Sequence, residues 1–235
     1  PPPPPFFFYN HNTQSEILSG LVGSEMCIRD RYYLSQTDLD HPGREDVLRE
    51  GELDCERVSH DLINDVKDDC SIYYQKHITH HLLDSIDREW MKSVTNCFLI
   101  RDPKDMIISY SRVHPDLNMH LLGLEEQKEI FEYVSNMTND IPPIIDSKDV
   151  LTNPRDILGK FCEKIGVIFS EEMLSWPRGA RDTDGNWGKY WYKNVMNSTG
   201  FNEYKPKTED VPERYEELYL ECYSLYEKLH KLRIK

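Results

Sequence analysis

The chain has 235 residues, 38% of them hydrophobic and 30% charged, with a mean hydropathy of -0.67, which suits a soluble globular protein with one sizeable core. Its 28 basic residues face 42 acidic ones, and the formal charge of -14 argues against nucleic acid or an anionic membrane as partner, so any polyanionic ligand has to be caught by a local basic pocket. The six cysteines form no CxxC pair and no Cys/His cluster at zinc spacing; with no export signal and no long apolar run, they read as reduced, mostly buried thiols of a cytoplasmic protein.

The first 31 residues open on prolines and phenylalanines and run into LVGSEMCIRDR (Leu21 to Arg31), with neither helical nor strand periodicity. Written as codons, Glu25 to Asp30 resembles the transposase-recognition end attached to sequencing-library fragments. Residues 1–31 are therefore set aside as a non-native or disordered segment, and the fold is expected from residues 32–235 as one unit.

Within that unit strands and helices alternate. SIYYQKH (Ser71 to His77), NCFLIR (Asn96 to Arg101) and PPIIDS (Pro142 to Ser147) are short aromatic or β-branched runs predicted as strands. After the second, Asp102 is placed to cap a helix that has Pro103 at its first position, and Met106, Ile107, Tyr110 and Val113 share one face. Leu124 to Met137 reads as an amphipathic helix. After the third strand, Asn153-Pro154 repeats the start signal, and a stripe of Ile157, Leu158, Phe161, Cys162 and Ile165 ends at Gly166. Pro212 to Leu232 reads as a long helix. Nearly continuous apolar strands alternating with helices predict an α/β parallel sheet with helices on both faces, and such sheets bind ligands at the carboxyl ends of their strands.

Those ends carry the reactive side chains. QKHITHH (Gln75 to His81) sets Lys76 beside His77, His80 and His81; the lysine suits charge on a transferring anionic group, and a histidine suits removal of a proton from an attacking hydroxyl. A helix start with exposed histidines is the plainer reading of the same residues, and a zinc site on His77 and His81 lacks an HExxH glutamate or a third ligand. Arg101 ends the next strand, and the Asp102-Pro103 helix start presents backbone N–H groups and a positive dipole end to an anion.

FLIRDPKDMIISYSRV (Phe98 to Val113) is similar to the nucleotide-binding signature of sulfotransferases that use 3′-phosphoadenosine 5′-phosphosulfate (PAPS). The resemblance implies that Arg101 and Ser109, matching in type and spacing, hold the 3′-phosphate of that cosubstrate. PPIIDSKDVLTNPRDILGKFCEKIGVIF (Pro142 to Phe169) looks like the family's strand, loop and helix. WPRGARDTDGNWGKYW (Trp176 to Trp191) resembles its basic, glycine-rich cofactor loop, although the family's Arg-Lys-Gly triplet is not intact; Arg178 and Gly179 are assigned there, with Arg181 and Lys189 as further candidates. DHPGRE (Asp40 to Glu45), YQKHITHH (Tyr74 to His81), MLSWPRG (Met173 to Gly179) and STGFNEY (Ser198 to Tyr204) resemble the group of sulfotransferase-like proteins sometimes labelled branched-chain amino acid aminotransferase-like. No segment looks like a lysine site for pyridoxal phosphate.

The family's fold is a three-layer, phosphate-loop nucleotide-hydrolase-like sheet. No Gly/Ser-rich strand–loop–helix precedes Ser71, so the chain is expected to be incomplete at its N-terminus, lacking the first strand and phosphosulfate loop, and to be inactive as it stands. The intact protein is expected to move a sulfuryl group to a hydroxyl or amine of a small-molecule acceptor, without a metal. His77 is the expected base, with Lys76 stabilising the transferring group and His80 the alternative base. A non-catalytic nucleotide-binding scaffold of the same fold is a second reading, and a nucleotide kinase, for which paired acidic magnesium ligands are missing, a third. The aromatic tract from Trp187 to Tyr192 reads as core packing or as the wall of an acceptor pocket.

Overall fold

The computed structural model of the chain describes residues 6–10, 24–26, 30–38, 44–49, 54–64, 74–112, 114, 116–179 and 196–235. Five parallel strands form the sheet: β1 (Phe6–Asn10), β2 (Ser24–Met26), β3 (Tyr74–Ile78), β4 (Thr95–Ile100) and β5 (Ile144–Asp146), in the spatial order β2-β3-β1-β4-β5. Helices α1 (Asp30–Gln36), α2 (Arg44–Arg49) and α3 (Cys55–Asn64) separate β2 from β3. They are followed by α4 (Pro103–Tyr110), α5 (Met119–Leu122), α6 (Leu124–Thr138), α7 (Ser147–Thr152), α8 (Pro154–Ile165) and α9 (Glu216–Leu232). No helix among the described residues is long and apolar enough to cross a membrane.

The segment set aside in the sequence takes part in the sheet. Phe6–Asn10 pairs with β3 on one side, Phe8 opposite Lys76, and with β4 on the other, Phe8 opposite Cys97. Phenylalanine and tyrosine favour extended backbone, and a central parallel strand accepts an unbroken aromatic run that shows no two-residue alternation.

Successive strand residues point to opposite faces, and β4 feeds two separate cores. Phe98 and Ile100 pack with Met106 and Ile107 of α4, Ile130, Phe131 and Val134 of α6, and Cys222, Tyr226 and Leu229 of α9. Cys97 and Leu99 pack with Ile145, Val150, Ile157, Leu158 and Phe161 of β5, α7 and α8. Phe98 and Phe161 are fully buried, and truncating either to alanine costs about 3–5 kcal/mol. The C-terminal residues close the outer strand: the Ile234 N–H donates to the Ile144 carbonyl at 2.9 Å, and Arg233 pairs with Asp149 at 2.6 Å.

Local signals decide where helices begin. The Asp102 carboxylate accepts from the Lys104 N–H at 2.8 Å and Pro103 opens α4, a cap worth about 1 kcal/mol. Asp146 does the same for Lys148 at 2.7 Å, which is why β5 stops there and Ser147, expected in the strand, starts α7. Asn153 precedes α8 without a side-chain cap bond, and Gly166, at φ 74°, ends it in the left-handed conformation. The long C-terminal helix starts at Glu216 rather than Pro212, because Pro212 is extended and a 3₁₀ turn, Glu213–Tyr215, intervenes. Cys97, Cys162 and Cys222 are buried free thiols, and burial pushes the Cys222 thiol up to about 12.

Candidate active site

The strand order reverses at β1, so the crevice for a ligand lies beyond its carboxyl end, flanked by the ends of β3 and β4. From β4 comes Arg101, half-buried, with no hydrogen bond or ion pair to another described residue. Ser109 sits two turns along α4; its hydroxyl donates to the Asp105 carbonyl at 2.9 Å and accepts from the Lys207 ammonium at 2.6 Å. A cavity of about 500 Å³ opens beside Arg101, lined by Arg101, Asp105, Ser147, Glu203, Tyr204 and Lys207 among others; Ser109 is joined to it through Lys207.

Lys207 arrives on a strap, residues 200–210, that crosses α4 and is tied to it at several points. The Tyr204 hydroxyl donates to Asp105 at 3.4 Å, Arg112 pairs with Glu209 at 2.7 Å, and Lys104 lies 3.8 Å from Asp210. Burial, then the positive charges of Arg101 and Arg112, hold the Lys207 ammonium below the usual lysine range. Burial, then Asp105 and Asp102, push the Tyr204 phenol up, so it stays a hydrogen-bond donor at neutral pH. Neither Lys207 nor Tyr204 had a role in the sequence reading. The two lysines around a proline in YKPK were the available signal, but nothing local connects them to α4.

The β3 side is arranged differently from a simple Lys-His pair. Lys76 and His77 lie inside the strand, 5% and 1% exposed, and as neighbours they point to opposite faces of the sheet. His77 faces the same way as Gln75, with Nε2 3.3 Å from Gln75 Oε1 and its ring 5.5 Å from buried Trp90. The Lys76 side chain has no hydrogen bond or ion pair among the described residues. The strand gives way to a 3₁₀ turn, Thr79–His81, held where the Thr79 hydroxyl donates to the Gly123 carbonyl at 2.9 Å. His80, half-buried, stands in that turn, past the strand end, with its ring 4.5 Å from the ring of His81.

Arg178 is exposed and does not line the cavity, and Gly179, at φ 119°, donates its N–H to the Met196 carbonyl at 2.9 Å. That bond, the Ser175–Gly200 bridge and the Trp176 indole donating to Ser198 at 3.0 Å bring the MLSWPRG and STGFNEY stretches together at the root of the strap. Arg181, Lys189 and the Trp187 to Tyr192 tract lie outside the described residues. Among the described residues no three His, Cys, Asp or Glu side chains cluster as metal ligands would.

The strand ends thus offer an arginine and a lysine at one cavity wall, the lysine held on a hydroxyl, and a buried lysine with a histidine turn on the β3 side. A family model for the sulfotransferase domain matches residues 28–230. The chain belongs to the sulfotransferase family. Two Arabidopsis thaliana proteins named branched-chain-amino-acid aminotransferase-like protein 2 and protein 1 are 29% and 31% identical to this sulfotransferase-family chain over 194 residues, 83% of its length. The chain spans 34%, about a third, of the length of those relatives. In fold it resembles the sulfotransferase domain of the Synechococcus PCC 7002 olefin synthase, with TM-score 0.53 and 16% identity over 98% of this chain and 95% of that one. It also resembles a sulfotransferase from Alicyclobacillus acidocaldarius, with TM-score 0.52 and 12% identity over 99% and 97% of the two chains.

Proposed function

We propose that this chain carries the site of a PAPS-dependent sulfotransferase acting on a hydroxyl or amine of a small-molecule acceptor, on a three-layer, phosphate-loop-like sheet. The observation that carries the reading is Arg101, without a partner among the described residues, sharing the cavity wall with Lys207, whose ammonium reaches the Ser109 hydroxyl. A guanidinium supplies planar paired donors to phosphate oxygens, and a hydroxyl and an ammonium complete a cradle for a ribose 3′-phosphate. When bound, the cosubstrate supplies an activated sulfuryl group. Lys76, buried without a counter-ion among the described residues, suits neutralising the charge that develops on that group. Of the two candidate bases, His80 is preferred, since it lies beyond the strand end whereas His77 is sealed against Gln75 and Trp90. Arg178 and Gly179 act, in this reading, through the loop they root rather than by reaching the cavity themselves. Its buried free thiols fit the reducing cytoplasm.

Calorimetric titration with adenosine 3′,5′-bisphosphate tests the reading. Binding that weakens about tenfold or more in Arg101→Ala is expected, from the loss of charge-assisted bonds. Equal binding by the wild type and Arg101→Ala removes the cradle, and tighter binding of magnesium-ATP points to a kinase instead. If His77→Ala and His80→Ala both keep normal transfer, histidine-base catalysis falls.

A further inference from the structure

A second chain of titratable side chains lies behind the histidine turn, built from three elements far apart in sequence. Tyr33 of α1 is 3% exposed, with its hydroxyl 3.1 Å from His120 Nε2. His120, in α5, has its Nδ1 2.6 Å from Glu126 Oε1, in the first turn of α6. The other Glu126 oxygen is buried with no hydrogen-bond partner among the described residues. A carboxylate only accepts, so Glu126 fixes the proton on Nδ1, and in the neutral ring Nε2 accepts from the Tyr33 hydroxyl. Tyr33 also stacks on His81, ring centroids 4.2 Å apart, and the His80 ring stands edge-on to both Tyr33 and His120, each at 5.4 Å. The inner end of this chain is buried, while the His120 side chain is 50% exposed.

We propose that Tyr33, His120 and Glu126 form a proton relay that carries the acceptor's proton from the histidine turn to solvent. The proposal rests on the sulfotransferase reading and extends it. In the transfer step the acceptor oxygen bonds to sulfur while the sulfur–oxygen bond to the donor phosphate breaks, its electron pair leaving on the phosphate oxygen. The acceptor's hydroxyl proton goes to the imidazole of His80. To be ready for another turnover that imidazole passes its proton on: the Tyr33 oxygen takes it as the Tyr33 hydroxyl proton moves to His120 Nε2, and the exposed His120 ring, its positive charge balanced by Glu126, releases a proton to water. Tyr33 is thereby restored and no oxidant or reductant is consumed. Burial and the nearby Glu126 carboxylate push the Tyr33 phenol up, which keeps it protonated between turnovers.

The whole chain is tested in two measurements: calorimetric binding of adenosine 3′,5′-bisphosphate, and transfer of radiolabelled sulfate from PAPS to a panel of simple phenols, alcohols and amines. Tyr33→Phe and His120→Ala are expected to bind the bisphosphate as the wild type does while transfer falls about 10–100-fold, within the span of proton-transfer catalysis. Added imidazole is expected to restore transfer in His120→Ala but not in Tyr33→Phe, a split that a packing role for His120 does not produce. Unchanged transfer in Tyr33→Phe, or no rescue of His120→Ala by imidazole, overturns the relay. So does a wild type that binds the bisphosphate and labels no acceptor, which leaves the nucleotide cradle standing. A wild type that binds no bisphosphate overturns the sulfotransferase reading, and the relay with it.

Discussion

Replacing Lys207 by methionine keeps the length and most of the apolar stem while removing the ammonium that reaches Ser109 at 2.6 Å. In the proposed complex that ammonium turns from the hydroxyl to a phosphate oxygen, a charge-assisted bond of about 1.5–3 kcal/mol. Lys207 is only part-buried, so water screens it and the lower end, about 1.5 kcal/mol or roughly a tenfold change in Kd, is the appropriate expectation. Calorimetry with two ligands isolates the contact: adenosine 3′,5′-bisphosphate should lose that affinity, while adenosine 5′-monophosphate, which lacks the 3′-phosphate, should bind both proteins alike. The ammonium is held below the usual lysine range by burial, Arg101 and Arg112, so wild-type affinity should decline on the alkaline side earlier than an ordinary lysine would dictate. Lys207→Met should abolish that decline. An equal loss for both nucleotides, or none for the bisphosphate, refutes the placement of the phosphate between Arg101, Ser109 and Lys207.

Tyr226→Phe leaves Asp146 Oδ2, which now accepts from the tyrosine hydroxyl at 2.7 Å, buried without that donor; urea denaturation should show a loss of about 1–3 kcal/mol. Burial raises the Asp146 carboxyl above its ordinary 3.8, against the opposing pull of Tyr226 and the Lys148 N–H. The native state therefore holds this proton more tightly than the unfolded chain, so the contribution to stability is fully present below pH 3.8 and lost as pH rises through the raised native value. The difference in unfolding free energy between wild type and Asp146→Asn should shrink in that direction, and a difference that is flat or grows across the window contradicts it. Asp102→Ala removes the α4 cap and should cost about 1 kcal/mol in thermal or urea unfolding, which a destabilisation indistinguishable from zero contradicts.

Local grammar carried much of the fold and the junction from which Arg101 reaches the cavity. Asp102-Pro103 capped α4 as the residue types demanded, Gly166 ended α8 in the left-handed conformation, and one strand–helix junction sets Arg101 in the cavity wall with Ser109 two turns along α4. The same grammar contained a warning about the other wall. Lys76 and His77 are adjacent in a strand, and a two-residue period sends adjacent side chains to opposite faces, so the pair could not meet one reacting atom from within the strand. What stayed illegible is tertiary. The Lys207–Ser109 bond spans 98 positions and the Tyr33–His120 bond 87, and neither has a pattern within reach of any sequence window. The central strand Phe6–Asn10 was missed because its unbroken aromatic run shows no two-residue alternation and a run of prolines stands in front of it.

The strap also resolves the contradiction between an acidic chain and an anionic ligand. At -14 the protein as a whole repels a phosphosulfate, yet two of the strap's three acids are paired at the rim, Glu209 with Arg112 and Asp210 with Lys104, while the third, Glu203, lines the cavity. Inside, Arg101 has no carboxylate partner among the described residues and Lys207 is bound only to a neutral hydroxyl. Asp105, which lines the cavity with them, is engaged by Tyr204. Over distances longer than a Debye length, about 8 Å in physiological salt, the overall charge is largely screened, so a ligand at the cavity responds chiefly to these few inner groups. In the proposed complex, pairing of Glu209 and Asp210 at the rim, rather than a basic surface, leaves Arg101 and Lys207 to meet a doubly charged phosphate.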